Sequence, residues 1–367
     1  MSTQAERLTS DVRTLSTVQN PAKAGTRISW IDVARGIGII LVVVGHAAGG
    51  IIDGPGGQSM PWLRYAFLAL YTFHMPVFFF LAGLFVVDRL ERGTAAFLKA
   101  ILITIAYPYF LWSVIQFSLI YASGSLVNHP VETYWATIAA LPWRTVSQFW
   151  FLHALFLVHL LGLVVWRMGG RAAVLAAAVA VKLLAMFVPS TPALSLAASN
   201  APYYALGLAI GWQRASAIFA GTSGRLRIGT GLCAVLAIIL LCSEADQLQH
   251  VLRVETASSA GIARIAWLPA MLPAMLLGGT TLLMIASSLA QSGGNISQLL
   301  ERIGRLSMPI FLMHILFIAG TRILATHLFH LAGASLLPLL VAIGVGGPLL
   351  IKQAADRLGA SRALGLR

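Results

Sequence analysis

The stretch WIDVARGIGIILVVVGH, residues 30–46, places Asp32, Arg35 and His46 inside an apolar run that covers residues 28–52. A run of that length is sufficient for an α-helix to span a bilayer. Ionisable side chains are costly at such a depth, and each is therefore a functional-site hypothesis by default. The stretch predicts a membrane helix that carries chemistry on one of its faces.

The rest of the chain has the composition of a membrane protein. Of its 367 residues, 58% are hydrophobic and only 10% are charged, and the mean hydropathy is +0.83. In a soluble domain, about a quarter of the residues are charged. The long apolar runs of this chain also lack the period-two alternation of a membrane β-barrel. The sequence predicts an all-α, polytopic helical bundle of about ten spans. These spans cover residues 28–52, 62–87, 95–122, 147–166, 171–189, 200–214, 228–243, 262–290, 305–327 and 333–351.

Basic residues give the predicted bundle an orientation. The formal net charge is +13, but the basic residues are scattered among the connections between apolar runs, which indicates topology and no nucleic-acid partner. With the N-terminus inside, about 18 of them fall on the inner side and 5 on the outer side. We therefore predict a multi-pass protein of the cell's inner or plasma membrane with both termini cytoplasmic. Residues 1–27 are predicted to be a disordered cytoplasmic tail, 28–351 a transmembrane domain and 352–367 a second cytoplasmic tail.

The first span carries its polar side chains on one helical stripe. Arg35 and His46 are eleven positions apart, about three turns, so their side chains point the same way and are separated by ~16 Å along the axis. Asp32 shares the face of Arg35 and can pair with it. Burial disfavours a charged imidazolium, and a neutral His46 has the form that a general base needs. The alternative is a structural histidine that donates one hydrogen bond between helices. Gly36, Gly38 and Gly45 have no side chains, so a neighbouring helix or a ligand can approach this span closely.

Histidines on two other predicted spans reach a similar depth. His74 lies in the second span, beside the helix-kinking Pro76, and His314 lies in the ninth. Trp150 and His153 open the fourth span. Three histidines at one depth are a conceivable zinc site, but no metal-ligand spacing occurs within any of these helices, so we predict no metal.

The second span ends in two basic residues one turn apart, Arg89 and Arg92. Such a pair forms a fork suited to phosphate groups. Asp88 and Glu91 lie close enough in the chain to neutralise it. The alternative interpretation is that these arginines mark the inner side of the membrane and nothing more.

Taken in order, these residues resemble the membrane-bound acyltransferase 3 family, and within it the fucose 4-O-acetylase-like branch. The resemblance covers about residues 28–350. It rests on Arg35 and His46 with ten residues between them, His-Met-Pro-Val-Phe-Phe-Phe-Leu-Ala-Gly from His74, Arg89 and Arg92, Phe149-Trp150-Phe151-Leu152, and Arg305-Leu306-Ser307 through His314. Family members often have a serine where this chain has Ala82.

The resemblance implies an integral membrane O-acyltransferase. Such an enzyme takes an acyl group, usually acetyl, from acyl-CoA on the cytoplasmic side and transfers it to a sugar hydroxyl of a cell-surface or secreted glycan. Acetyl-CoA is then a co-substrate with no bound cofactor, and the partners are a glycan or lipid-linked sugar, membrane lipid and, as an open question, a second copy of the chain. The resemblance implies catalysis for His46 and binding or positioning of the donor for Arg35, Arg89 and Arg92. Together with the placement of the residues in the predicted spans, it leads us to predict that Asp32 and Arg35 take part in catalysis with His46. The predicted lining of the acceptor site is His74, Trp150, His153 and His314.

Two other classes compete with this interpretation. A transporter or flippase for a glycan or a small metabolite would use the mid-membrane histidines as a proton relay. Such a transporter would not need a phosphate-binding fork at the cytoplasmic mouth, whereas an enzyme that uses acyl-CoA would. An O-acyltransferase of the unrelated porter-like fold would rely on His314 and lacks the spacing of Arg35 and His46. Within the acyltransferase interpretation, direct attack of the acceptor on the thioester and an acetyl-histidine intermediate both stay open.

Overall fold

A computed structural model describes residues 28–54, 60–128, 133–145, 147–187, 192–243 and 257–366. The predicted tail over 1–27 lies outside these residues. Every regular element in the described ranges is helical, with a short π-helical turn, Leu102–Ala106, joining α4 to α5. The helices are α1 Ser29–Ile52, α2 Pro61–Gly83, α3 Val86–Glu91, α4 Thr94–Ile101, α5 Tyr107–Ser123, α6 Tyr134–Ala140, α7 Trp150–Phe187, α8 Pro192–Gly221, α9 Gly224–Ser243, α10 Ala257–Ser292, α11 Asn295–Arg305, α12 Ser307–Phe329 and α13 Leu337–Arg357.

The chain is an all-α polytopic membrane bundle, as predicted. Within the described ranges, eight helical stretches are long and apolar enough to cross a bilayer. These eight stretches do not determine how many times the chain crosses the membrane. One of them, Ser147–Phe187, contains a chain reversal, and α8 is not among the eight. The count of about ten spans and the cytoplasmic placement of the termini stay predictions.

The reversal within α7 occurs at two consecutive glycines. Gly170 has φ 64° and ψ −150°, a conformation that side-chain-bearing residues rarely adopt. Val165 and Val174 line one small cavity together, and Val158 and Val181 line a neighbouring groove together. Both pairs are symmetric about the glycines, so the two halves of α7 are antiparallel and pack side by side. This agrees with the separate predicted segments 147–166 and 171–189.

Helix α1 is the centre of the bundle, since it packs against α2, α10, α11, α12 and α13. Its closest approach is to α11, where no side chain separates the two backbones. A Cβ atom on Gly304 would lie 1.7 Å from the carbonyl oxygen of Asp32, and one on Gly36 would lie 2.1 Å from that of Leu300. The thin stripe of α1 therefore serves a neighbouring helix at Gly36, and the crossing holds Arg305, at the end of α11, near Asp32 and Arg35.

A second glycine crossing joins α2 to α8 and fixes the chain that follows α2. A Cβ atom on Gly83 would lie 2.1 Å from the carbonyl oxygen of Tyr204, and Gly207 approaches α2 equally closely. Beyond this crossing, the backbone N–H of Trp212 donates to the carbonyl of Leu84 over 3.2 Å. The indole N–H of Trp212 donates to Asp88 over 2.6 Å. Asp88 is thus bonded to a tryptophan of α8, which was not the expected partner.

The chain after α13 is folded rather than separate from the bundle. Helix α13 continues to Arg357, past the predicted boundary at 351. Residues 358–366 form successive turns that pack against α5, and Leu366 is 0% exposed. These residues are therefore part of the packed domain, and they reach the site described next.

Candidate active site

A cavity of about 830 Å³ opens between α1, α2, α3, the π-helical turn, α7, the α11–α12 junction and the segment after α13. We call it the basic cavity. Its arginine side chains come from four separate parts of the chain. They are Arg35, Arg89, Arg305 and Arg362. Asp32 is the acidic residue that lines the same cavity among the described residues.

The basic cavity carries an excess of positive charge. Arg35 pairs with Asp32 over 3.3 Å, and Arg305 pairs with Glu301 over 2.6 Å. In the part of the chain that the structure describes, Arg89 and Arg362 have no carboxylate within ion-pair distance. Unpaired guanidinium groups around one cavity suit an anionic ligand with several phosphates, which arginine binds in a bidentate manner.

The cavity wall also includes a histidine that the sequence analysis did not single out. His159 lies on the first half of α7 and is 1% exposed, and its Nδ1 donates to the carbonyl of Leu155 over 2.7 Å. That bond uses Nδ1 as the donor and leaves Nε2 for another partner. The signal that identified His46, an ionisable residue in an apolar span, applies equally to His159.

A narrow cavity of about 70 Å³ continues the basic cavity along α1. The two share part of their walls, and the narrow cavity adds residues from α1, α2 and α12, of which Val42, Met75 and Phe311 lie within about one turn of the predicted histidines. The shared residues are Phe78, Phe151, Ser307 and Met308, and the added ones are Ile39, Val42, Met75 and Phe311. The wall therefore runs from the arginines toward the level of His46.

Three histidines from three helices lie together beyond the narrow cavity. The ring centroids of His46 and His314 are 5.1 Å apart. Tyr71 lies between the other pair, at 6.2 Å from His46 and 4.9 Å from His74. The structure thus brings His46, His74 and His314 together, as their predicted depths require. Among the described residues, no group of three side chains of the metal-binding types is placed to hold a metal ion.

The rings of His46 and His314 differ in their hydrogen bonding. His314 is 0% exposed, and its Nδ1 lies 3.0 Å from the carbonyl oxygen of Ile310 and 2.8 Å from that of Phe311. Nδ1 is therefore the protonated nitrogen, and Nε2 is a buried acceptor with no partner among the described atoms. His46 is only partly buried, and its ring has no hydrogen bond within the described ranges. An imidazole that makes no hydrogen bond among the described residues therefore lies beside a buried acceptor that has no partner there.

Other predicted site residues lie elsewhere. Trp150 stacks on Phe79 with ring centroids 6.5 Å apart, and His153 stacks on Tyr109 with centroids 5.4 Å apart. Neither residue lines the basic or the narrow cavity. Of the predicted phosphate fork, Arg89 lines the basic cavity and Arg92 does not. Of the residues predicted to line the acceptor site, His74 and His314 lie in the cluster with His46, although they do not line the basic or the narrow cavity either. Their role at an acceptor site stays a prediction.

Comparison with known proteins gives two matches. A family model described as an acyltransferase domain matches residues 28–352. The nodulation protein NolL of Mesorhizobium japonicum is 28% identical over 202 residues, which cover 53% of this chain and 51% of that protein. The chain thus aligns with about half the length of this curated relative. No solved structure matches the chain.

Proposed function

Because this chain belongs to the acyltransferase 3 family and is a membrane acyltransferase, we propose that it transfers an acetyl group from acetyl-CoA to a sugar hydroxyl of a cell-surface or secreted glycan. One observation carries the proposal: a cavity lined by four arginines narrows along α1 toward a cluster of three histidines. The cavity suits the phosphates of a nucleotide-bearing donor, and the cluster suits proton transfer. The resemblance to the fucose 4-O-acetylase-like branch supports the glycan acceptor.

The donor binds with its phosphates on the arginines and its thioester near His46. Arg35 and His46 are ~16 Å apart along the helix axis, which is a distance that the extended pantetheine arm has to bridge. The shared wall of Phe78, Phe151 and Met308 provides an apolar path for the arm. The positive-inside distribution supports a cytoplasmic position for this mouth, where acyl-CoA is available.

His46 acts as the general base. Its imidazole takes the proton of the acceptor hydroxyl as the oxygen attacks the thioester carbonyl carbon. A C–O bond forms and the C–S bond breaks, and the CoA thiolate leaves and takes up the proton from the imidazolium to become the thiol. The chain's own contribution is thus the placement of the base, its orientation and the binding of the donor.

His314 is a positioning residue for His46. Its Nε2 is the unpartnered acceptor next to the base and can hold an N–H of His46. His314→Phe is therefore expected to lower kcat on the order of 10²-fold, less than the 10⁴-fold known for loss of a buried carboxylate partner, because a neutral imidazole does not stabilise an imidazolium by its charge. The KM for acetyl-CoA should change little. Steady-state kinetics in detergent or nanodiscs measure both constants, and an unchanged kcat would remove this role.

Arg89 and Arg92 provide a matched pair one turn apart. Arg89→Gln is expected to raise the KM for acetyl-CoA about tenfold, the size expected for loss of one charge-assisted hydrogen bond. Arg92→Gln should leave the KM near the wild-type value because Arg92 does not line the basic cavity. Equal effects of the two substitutions would show that net charge at the membrane surface, and not the cavity, determines donor affinity.

Purified protein in nanodiscs tests the activity directly. Incubation with acetyl-CoA and a lipid-linked or soluble sugar acceptor should release CoA thiol and add one acetyl group to the acceptor, as detected by mass spectrometry. A transporter or flippase with a histidine proton relay is the second candidate. It has no need of Arg89 and Arg362, which pair with no carboxylate among the described residues. Acceptor movement across a proteoliposome without release of CoA would favour that candidate over the transferase.

A further inference from the structure

The segment of residues 358–366 is bound to α5 by hydrogen bonds from two aromatic side chains. The hydroxyl of Tyr107 donates to the carbonyl of Ala363 over 2.5 Å, and the indole N–H of Trp112 donates to the carbonyl of Leu364 over 2.8 Å. Leu366, two residues later, is 0% exposed. The segment is therefore held at positions directly next to its cavity-lining residues, Arg362 and Gly365.

Turns inside the segment support the same geometry. Its backbone closes on itself through bonds from Leu366 N to Ser361 O at 2.9 Å and from Ala360 N to Ala355 O at 2.8 Å. Gly365 has φ +63°, and a Cβ atom there would lie 3.0 Å from the side chain of Pro108. A glycine is thus required where the segment approaches α5 and lines the basic cavity.

Arg362 is the charged residue that this segment adds to the basic cavity. It is exposed, so it lies where the cavity meets solvent. The nearest carboxylate in sequence, Asp356, is occupied: Lys352 donates to its two oxygens over 2.6 and 2.5 Å, and Ser361 donates over 2.5 Å. No other carboxylate in the described ranges pairs with Arg362. Its guanidinium is available to an anion.

We propose that the 358–366 segment is a wall of the donor site and that Arg362 binds a phosphate at the nucleotide end of acyl-CoA. The inference rests on the proposed function. The length of the donor supports this assignment. Its thioester has to reach His46 through the narrow cavity, so its opposite end, which carries the phosphates, remains at the exposed mouth of the basic cavity. Arg362 is held at that mouth by a folded segment, and no carboxylate of the described residues pairs with it.

Two donors distinguish phosphate binding from a general effect on the fold. Arg362→Gln should raise the KM for acetyl-CoA about five- to tenfold and leave the KM for acetyl-pantetheine, which lacks the nucleotide and its phosphates, unchanged. Arg357→Gln is the matched control, because Arg357 is also exposed, lies five residues earlier and does not line the cavity. It should change neither KM. Arg362→Lys should give an intermediate value, since lysine keeps the charge but loses the bidentate geometry.

Trp112→Phe tests the segment itself. The substitution keeps an aromatic ring on α5 and removes the bond to Leu364, so it should raise the KM for acetyl-CoA and not that for acetyl-pantetheine. Equal KM values for wild type and Arg362→Gln, or a parallel rise with acetyl-pantetheine, would overturn the inference while the proposed function stands. Failure of the wild-type protein to use either donor would instead overturn the proposed function, and this inference with it.

Discussion

His46→Ala should lower the rate of acyl transfer by about 10²- to 10⁴-fold, the contribution of a positioned general base. The KM for acetyl-CoA should stay near the wild-type value, because the donor's phosphates are bound by arginines about three turns away. This separation of kcat from KM follows from the geometry. His46 lies beside His314 at 5.1 Å and does not line the basic cavity.

His153→Phe is the matched control for His46→Ala. His153 is another histidine of the membrane domain, but it is buried, stacks on Tyr109 and lies outside the histidine cluster. Phenylalanine keeps the stacking, so the rate should remain close to that of wild type. Release of CoA thiol and acetylation of the acceptor are measured for each variant after size-exclusion chromatography confirms a folded protein. A folded His46→Ala protein that retains the wild-type rate would refute the assignment.

Gly304→Ala should have the largest effect on stability. Its Cβ atom would lie 1.7 Å from the carbonyl oxygen of Asp32 and 2.8 Å from the backbone nitrogen of Gly36. These are backbone atoms of α1, and they cannot rotate away as a side chain can. The helices α1 and α11 must then separate, which we expect to cost about 3 kcal/mol or more, at the upper end of the range for overpacking. Arg305 and the Asp32–Arg35 pair would move apart, so donor affinity should fall as well.

Gly320→Ala is the control for that crossing. Gly320 lies within α12, and a Cβ atom there would meet nothing within 4 Å. Because alanine favours a helix over glycine by about 1 kcal/mol, this variant should be as stable as wild type or slightly more stable. Thermal unfolding in the same detergent measures both variants. A midpoint for Gly304→Ala equal to that of Gly320→Ala would show that the α1–α11 crossing is not as close as the structure has it.

Most of the helical architecture could be predicted from the sequence, because an apolar chain can span a bilayer in few ways. Long apolar runs predict helices, and the break between segments 147–166 and 171–189 falls at the glycines where α7 reverses. Segment 200–214 was predicted too short, since α8 covers Pro192–Gly221. Helix α8 bends at Gly211, with φ 72°, and the chain remains helical beyond the apolar core on which the prediction relied.

The site could be predicted where its residues share one helix or lie at one depth in the membrane. Spacing along α1 predicts that Asp32 and Arg35 pair, and the structure places them 3.3 Å apart. The position of Arg362 at the basic cavity could not be predicted from the sequence, because it depends on hydrogen bonds between positions about 250 residues apart in the chain. The bond between Asp88 and Trp212 was missed for the same reason. No local pattern indicates which arginine of a basic connection faces a cavity.

The most direct test of the central claim is photo-crosslinking with an acyl-CoA whose acyl group carries a diazirine. If the donor lies in the basic cavity with its thioester near His46, peptide mass spectrometry should find the adduct on the wall of the narrow cavity, among Val42, Met75 and Phe311. Excess CoA should suppress the labelling. Labelling that CoA does not suppress, or that is confined to the apolar groove of Leu157, Val181 and Leu194 on α7 and α8, would contradict the account.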